Sequence, residues 1–174
     1  MNDAETTEAT ALNPKGAPAP GWAWAVGTFF GTGLLKPGPG TWSSLATTLI
    51  WFALARALPI GMRLPILVAL LTLATVVGIP AATRIARALG KKDPGIVVID
   101  ETAGQLLTFL GAPLNWQSML VGLILFRAFD IAKPFPIRRL EKLPEGTGIV
   151  VDDLGAGLYA LAVMQLLLHF AILK

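Results

Sequence analysis

The chain has 174 residues, with 54% in the letters AVILMFWYC, 18 glycines, 14% charged residues and a net charge of +3. Counting glycine, the apolar share is about 64%, against about 45–50% apolar and about 25% charged in soluble domains. Together with a mean hydropathy of +0.65, this excludes a disordered chain, a coiled coil and a typical water-soluble domain, and points to an integral membrane protein.

In chain order, residues 1–21 stand apart. They hold Asp3, Glu5, Glu8, Pro14, Pro18 and Pro20, and read as a disordered tail. They lack the basic start and apolar stretch of a signal peptide. Residues 22–174 then read as one membrane-embedded domain. Residues 22–35 are apolar but short and glycine-rich: a span, a re-entrant piece or an interfacial helix. Residues 41–58, 64–83 and 150–173 are apolar runs of 18, 20 and 24 residues, and a membrane span needs about 17–25. Residues 98–111 and 116–131 are marginal and suit a shallow hairpin. Pro59-Ile60-Gly61 and Gly111-Ala112-Pro113 are tight joints that fold neighbouring helices back on each other. The expectation is an all-α, polytopic helical bundle with some short or re-entrant helices.

Hairpins return to the side they left, so 36–40, 84–97 and 132–149 share one side. That side, with its helix ends, carries Lys36, Arg84, Arg87, Lys91, Lys92, Arg127, Lys133, Arg138, Arg139 and Lys142; the other carries Arg56, Arg63 and Lys174. The positive-inside rule makes the first side cytoplasmic. It also holds Asp93, Asp100, Glu101, Asp130, Glu141, Glu145, Asp152 and Asp153. Acids contribute little to orientation, so their one-sidedness asks for another cause.

Asp100 and Glu101 open residues 98–111, Asp152 and Asp153 open 150–173, and Asp130 closes 116–131. A first-turn acid is ordinarily explained by the helix dipole. Five acids reaching one interface suggest more, because ionisable groups at membrane depth pair, bind ions or function. There is no cysteine, and His169 is the one histidine. That excludes a zinc–thiolate site, a cysteine nucleophile and a multi-histidine centre, and leaves an all-oxygen site for Mg²⁺ or Mn²⁺. Arg127, Asp130 and Lys133 share one helix face, either as an ion-pair ladder or as two cations for phosphate with Asp130 facing a metal or water. The glycine-rich approach 31–44, with Lys36 and Thr41, reads as a turn with Thr41 as N-cap or as an anion-receiving helix start. His169, Tyr159 and Gln165 read as packing groups. These features suit a phosphorylated lipid headgroup as substrate. No nucleic-acid partner is expected, and oligomeric state is not legible.

Three stretches, GTGLLKPGPGTWSSL (31–45), DPGIVVIDETAGQ (93–105) and FRAFDIAKPFPIRRLEKLPEGTGIVVDDLGAGLYA (126–160), resemble the phosphatidylglycerophosphatase A family. The resemblance covers nearly all of residues 25–165. It implies an all-helical, Mg²⁺-dependent lipid phosphatase of the bacterial inner membrane that converts phosphatidylglycerophosphate to phosphatidylglycerol. Its acidic motif positions fall on Asp100, Glu101, Asp130, Asp152 and Asp153, and its basic ones on Arg127 and Lys133. The chemistry left open is metal-assisted water attack or an aspartyl nucleophile. Water attack is favoured, with Asp100, Glu101, Asp152 and Asp153 as the metal set and Asp130 as base. Asp100 and Asp153 are further catalytic candidates. Arg127, Lys133, Lys36 and Thr41 then bind phosphate. Competing readings are a phosphatase or phosphotransferase for another phospholipid headgroup, a cation-transporter subunit, and a soluble enzyme with a very apolar helical core.

Overall fold

The computed structural model describes residues 18–172. Most of the expected tail, residues 1–17, lies outside the described residues, as does Lys174. Among the described residues there are seven α-helices and no strand. They are α1 (Gly21–Gly27), α2 (Pro39–Ala57), α3 (Ile60–Leu89), α4 (Ile99–Thr108), α5 (Trp116–Ala132), α6 (Ile137–Leu140) and α7 (Glu145–His169). A 3₁₀ turn at Thr32–Leu34 follows α1.

The helix ends follow local chemistry. Gly38 takes a left-handed conformation before α2 and Pro39 occupies its first turn, where a missing N–H costs nothing. Thr41 is therefore inside the helix and is not its N-cap. Gly90, also left-handed, stops α3 as glycine commonly does at a helix C-terminus. The Asn115 side chain accepts from the Ser118 N–H at 2.8 Å and starts α5.

Two helices, α3 and α7, are long and apolar enough to cross a membrane, by length and composition. In α3 only 17% of the most apolar stretch is buried inside the protein, and Leu64, Val68, Leu73 and Val76 point outward. That is the pattern of a helix whose surroundings are apolar. Residues 41–58, expected as a third span, lie in α2, which is long enough but not among the two. Its inner face carries Ser43, Ser44, Thr47 and Thr48, all buried. Residues 22–35 do not form a span. Phe29, Phe30 and Gly31 have φ of 43°, 54° and 93°, and this left-handed run ends the helix after two turns.

The core of the bundle is α4, packed chiefly on α7, with α3 and α2 on its other sides. Ser43 donates to the Val98 carbonyl at 2.9 Å and lies 3.1 Å from the Thr102 hydroxyl, and Thr47 donates to Thr102 at 3.2 Å. These bonds tie α2 to α4. An apolar cleft of about 320 Å³, with Phe30, Ile50, Leu73 and Leu106 on its walls, lies between α1, α2, α3 and α4. At the opposite end, Gln165 donates to the Leu110 carbonyl at 2.8 Å, which places the turn after α4 beside the end of α7. Tyr159 donates to the Phe135 carbonyl at 2.8 Å. Both behave as packing groups.

Candidate active site

The acids converge because two helices touch through their backbones. A Cβ on Gly157 would lie 2.5 Å from the Gly104 carbonyl oxygen, and a Cβ on Gly104 would lie 2.5 Å from the Asp153 carbonyl oxygen. Neither position admits a side chain without displacing backbone. This close crossing brings Asp100 and Glu101 of α4 against Asp153 of α7. One carboxylate oxygen from each of the three lies within 4.8 Å of the others.

Around this trio stand the cations. Arg127 of α5 pairs with Asp130 at 2.6 Å and lies 3.9 Å from Glu101. Asp130 also lies near enough to Asp153 for the two carboxylates to repel each other. It sits in the last turn of α5, where the helix dipole disfavours an acid, so the dipole does not explain it. Lys133 just beyond α5 donates to Asp152 at 2.6 Å and lies 3.9 Å from Glu141. Burial opposes the Lys133 charge, but the hydrogen bond and charge of Asp152 outweigh it, and the ammonium titrates above the ordinary lysine range.

Helix α7 starts at Glu145, five residues before the expected 150. Gly146 and Gly148 allow this, for the first packs against the backbone at Ile79 and Thr83 of α3 and the second against the Leu143 carbonyl. Arg87 anchors the new first residue with two bonds to Glu145, of 2.6 and 2.7 Å. Asp152 and Asp153 therefore do not open the helix. They lie two turns inside it, beyond the dipole's reach, and both are buried.

Of the expected site residues, the structure brings together Asp100, Glu101, Asp153, Asp130 and Arg127, with Lys133 and Asp152 as an adjoining pair. Lys36 and Thr41 are exposed near the start of α2, and among the described residues no ion pair joins Lys36 to an acid. From that glycine-rich approach it is Gly40 that reaches the site. A Cβ there would collide with the Glu101 carboxylate and come within 2.9 Å of Arg127 Nη1. Sequence reasoning missed Gly40, Gly104 and Gly157 as site-builders, although each sits inside one of the three motif stretches. Asp93 was also passed over; it shares a small cleft with Glu141, Glu145 and Asp152. His169 is sixteen residues along α7 from Asp153, about 24 Å at 1.5 Å per residue.

The donor set fits a hard divalent cation. Asp100 Oδ1, Glu101 Oε2 and Asp153 Oδ2 are buried with no hydrogen-bond partner. Buried carboxylate oxygens left in this state are costly, and three held together repel one another. A cation removes both costs, and all-oxygen ligation selects Mg²⁺-like ions.

Comparison with known proteins gives the same direction. The family model described as phosphatidylglycerophosphatase A matches residues 25–168. A Haemophilus influenzae protein named phosphatidylglycerophosphatase A is 41% identical over 142 residues, covering 80% of this chain and 83% of the relative. An Escherichia coli protein of the same name is 35% identical over 147 residues, covering 83% and 81%. A Bacteroides thetaiotaomicron protein, carried under the provisional name phosphatidylinositol-3-phosphatase, is 38% identical over 138 residues, covering 78% and 86%. No solved structure matches the chain.

Proposed function

The chain belongs to the phosphatidylglycerophosphatase A family, and on that premise we propose that it hydrolyses the terminal phosphomonoester of phosphatidylglycerophosphate, giving phosphatidylglycerol and phosphate. It is a phosphatase by family. The observation that carries the specific reading is the carboxylate trio of Asp100, Glu101 and Asp153, each with one buried oxygen that has no hydrogen-bond partner, set beside Arg127.

In this reading Asp100, Glu101 and Asp153 hold Mg²⁺. When bound, the ion supplies positive charge to the phosphate oxygens and lowers the cost of deprotonating the attacking water. The chain's own groups do the rest. Arg127 binds phosphate; its Nε is buried and has no hydrogen-bond partner. Asp130, held at 2.6 Å by Arg127, accepts the water proton at its carboxylate. The water oxygen bonds to phosphorus as the bond from phosphorus to the headgroup oxygen breaks; that oxygen takes a proton from solvent water, and Asp130 returns to solvent the proton it accepted. Lys133 and Asp152 form the wall behind this group, and Lys133 adds positive potential at the rim. Lys36 and Thr41, at the exposed start of α2, are the outer contacts for incoming phosphate.

The location follows from the same reading. Helices α3 and α7 cross the membrane, and the end rich in Lys and Arg faces the cytoplasm, which places the acids at the cytoplasmic face of a bacterial inner membrane. This is where a phospholipid-synthesis enzyme meets its substrate. A second reading, a phosphatase for another phosphorylated headgroup, is favoured by the likeness to the Bacteroides protein.

The test is phosphate release by detergent-purified protein from phosphatidylglycerophosphate and from phosphatidic acid, with Mg²⁺ or with EDTA. Mg²⁺-dependent release favouring phosphatidylglycerophosphate is the expected result. Release that is equal from both lipids, or indifferent to EDTA, overturns the specific proposal.

A further inference from the structure

One turn along their helices from Glu101 and Gly40 are two buried polar residues that the phosphatase chemistry does not use. Gln105 is fully buried, and neither its amide oxygen nor its amide nitrogen has a hydrogen-bond partner. Ser44 is fully buried too, and its hydroxyl is likewise unpartnered. A buried amide without partners is expensive, and an apolar residue of similar shape would be cheaper. Such groups are satisfied by something the bare chain does not supply.

Their places in the fold are related. Gly40 of α2 packs against Glu101 of α4. Ser44 lies one turn further along α2 from that contact, and Gln105 lies one turn further along α4. Helical side chains lean toward their own N-terminus, so the Gln105 amide is directed back over the turn that carries Glu101. On that turn the Glu101–Arg127 pair is spaced at 3.9 Å and is partly exposed. Four residues of helix advance about 6 Å, so the backbone of Gln105 and of Ser44 lies about that much further along its helix than Glu101 and Gly40. In a phosphorylated lipid the terminal phosphate lies outermost, and the headgroup that carries it lies next toward the bilayer.

We infer that Gln105 and Ser44 form a subsite for a hydroxyl of a polyol headgroup, the part of the substrate between the scissile phosphate and the lipid. The inference rests on the lipid phosphatase reading of the neighbouring site. An amide offers an acceptor and a donor together, and a hydroxyl needs both. The names of the relatives contain glycerol and inositol, which share hydroxyls beside the phosphorylated carbon. Phosphatidic acid has none. Sites that hydrogen-bond a substrate hydroxyl reject the analogue that lacks it far more strongly than apolar pockets can.

The experiment compares wild type, Gln105→Leu and Ser44→Ala in two assays. In the first, kcat/KM is measured for phosphatidylglycerophosphate and for phosphatidic acid. Each variant is expected to lose on the order of 10-fold or more on the polyol lipid while staying within about 2-fold on phosphatidic acid. Equal losses on both lipids, or no loss on either, overturn the subsite. The second assay needs no turnover. Thermal unfolding is followed with glycerol 3-phosphate and with inorganic phosphate, each with Mg²⁺. Extra stabilisation of wild type by glycerol 3-phosphate, lost in Gln105→Leu, supports the subsite even where no lipid is hydrolysed, and in that case the phosphatase reading alone falls. Equal stabilisation of wild type by the two probes overturns the subsite and leaves that reading standing. Ser44→Ala, a small change, keeps the comparison decisive where Gln105→Leu does not fold.

Discussion

Lys133 donates a 2.6 Å hydrogen bond to Asp152, and this single bond puts the two adjacent aspartates of α7 in different surroundings. Asp153 turns to the trio with Asp100 and Glu101, while Asp152 is neutralised by the lysine. Asp153→Asn is therefore expected to abolish Mg²⁺-stimulated turnover. Asp152→Asn is expected to retain a response to Mg²⁺ at reduced rate. Mg²⁺ titration of phosphate release in both variants checks the division. An identical shift of the Mg²⁺ midpoint in the two would refute it.

The same pair makes a stability prediction. Asp152 is only 4% exposed at its side chain and Lys133 23%. Removing one partner of such a pair strands the other charge, at a cost of about 3–5 kcal/mol for a fully buried case. Lys133→Met should lower the unfolding temperature more than the double variant Lys133→Met/Asp152→Asn. Thermal melts in one detergent decide it, and a double variant less stable than the single would count against the argument.

Asp130→Asn should bind substrate and release phosphate slowly. Losing a general base typically costs about 10²–10⁴ in rate. The asparagine keeps the size of the side chain beside Arg127 and removes the proton acceptor. Steady-state kinetics should show a fall in kcat with KM little changed. Unaltered kcat would remove Asp130 from the base role.

Gly157→Ala is expected to disable the enzyme although it deletes nothing. The new Cβ would lie 2.5 Å from the Gly104 carbonyl oxygen, so α4 and α7 must separate. Overpacking of this kind costs about 1–3 kcal/mol, and the separation moves Asp153 away from Asp100 and Glu101. Activity should fall further than the melting temperature alone explains, with a raised Mg²⁺ requirement. An alanine variant with wild-type Mg²⁺ dependence would argue that the crossing does not set the site.

The Arg87–Glu145 pair should matter little by comparison. Its side chains are 39% and 43% exposed, and exposed pairs contribute about 0–1 kcal/mol. Glu145 also holds a φ of 53°, which glycine adopts more easily. Glu145→Gly loses the bonds and relieves the backbone, so its melting temperature should stay near wild type.

The order of the helices was legible in the chain because hydropathy and proline–glycine joints mark them directly. The shared end of the acids followed from those joints. What could not be read is instructive. Residues 22–35 are apolar throughout, yet the left-handed turn at Phe29 and Phe30 breaks them, and no residue type announces a positive φ at phenylalanine. The start of α7 is not legible because Gly146 looks like a breaker until α3 is beside it, and Gly148 until the Leu143 carbonyl closes on it. Asp152 and Asp153 both fall in the expected metal set because the partner that separates them, Lys133, lies 19 residues away. Gly104 and Gly157 are ordinary letters in a helix, and only the packing of one against the other gives them a role.

The contact between Gly104 and Gly157 leaves no side chain between two helices, so no rotamer can alter their separation. The three carboxylates are carried by the two helices that meet at this contact. Magnesium takes its oxygens at about 2.0–2.1 Å, and calcium at about 2.3–2.6 Å with a larger and looser shell. If the three carboxylates hold a divalent ion, a frame that spreads little is expected to favour the smaller one. Discrimination between the two metals would then reside in a pair of residues that touch neither.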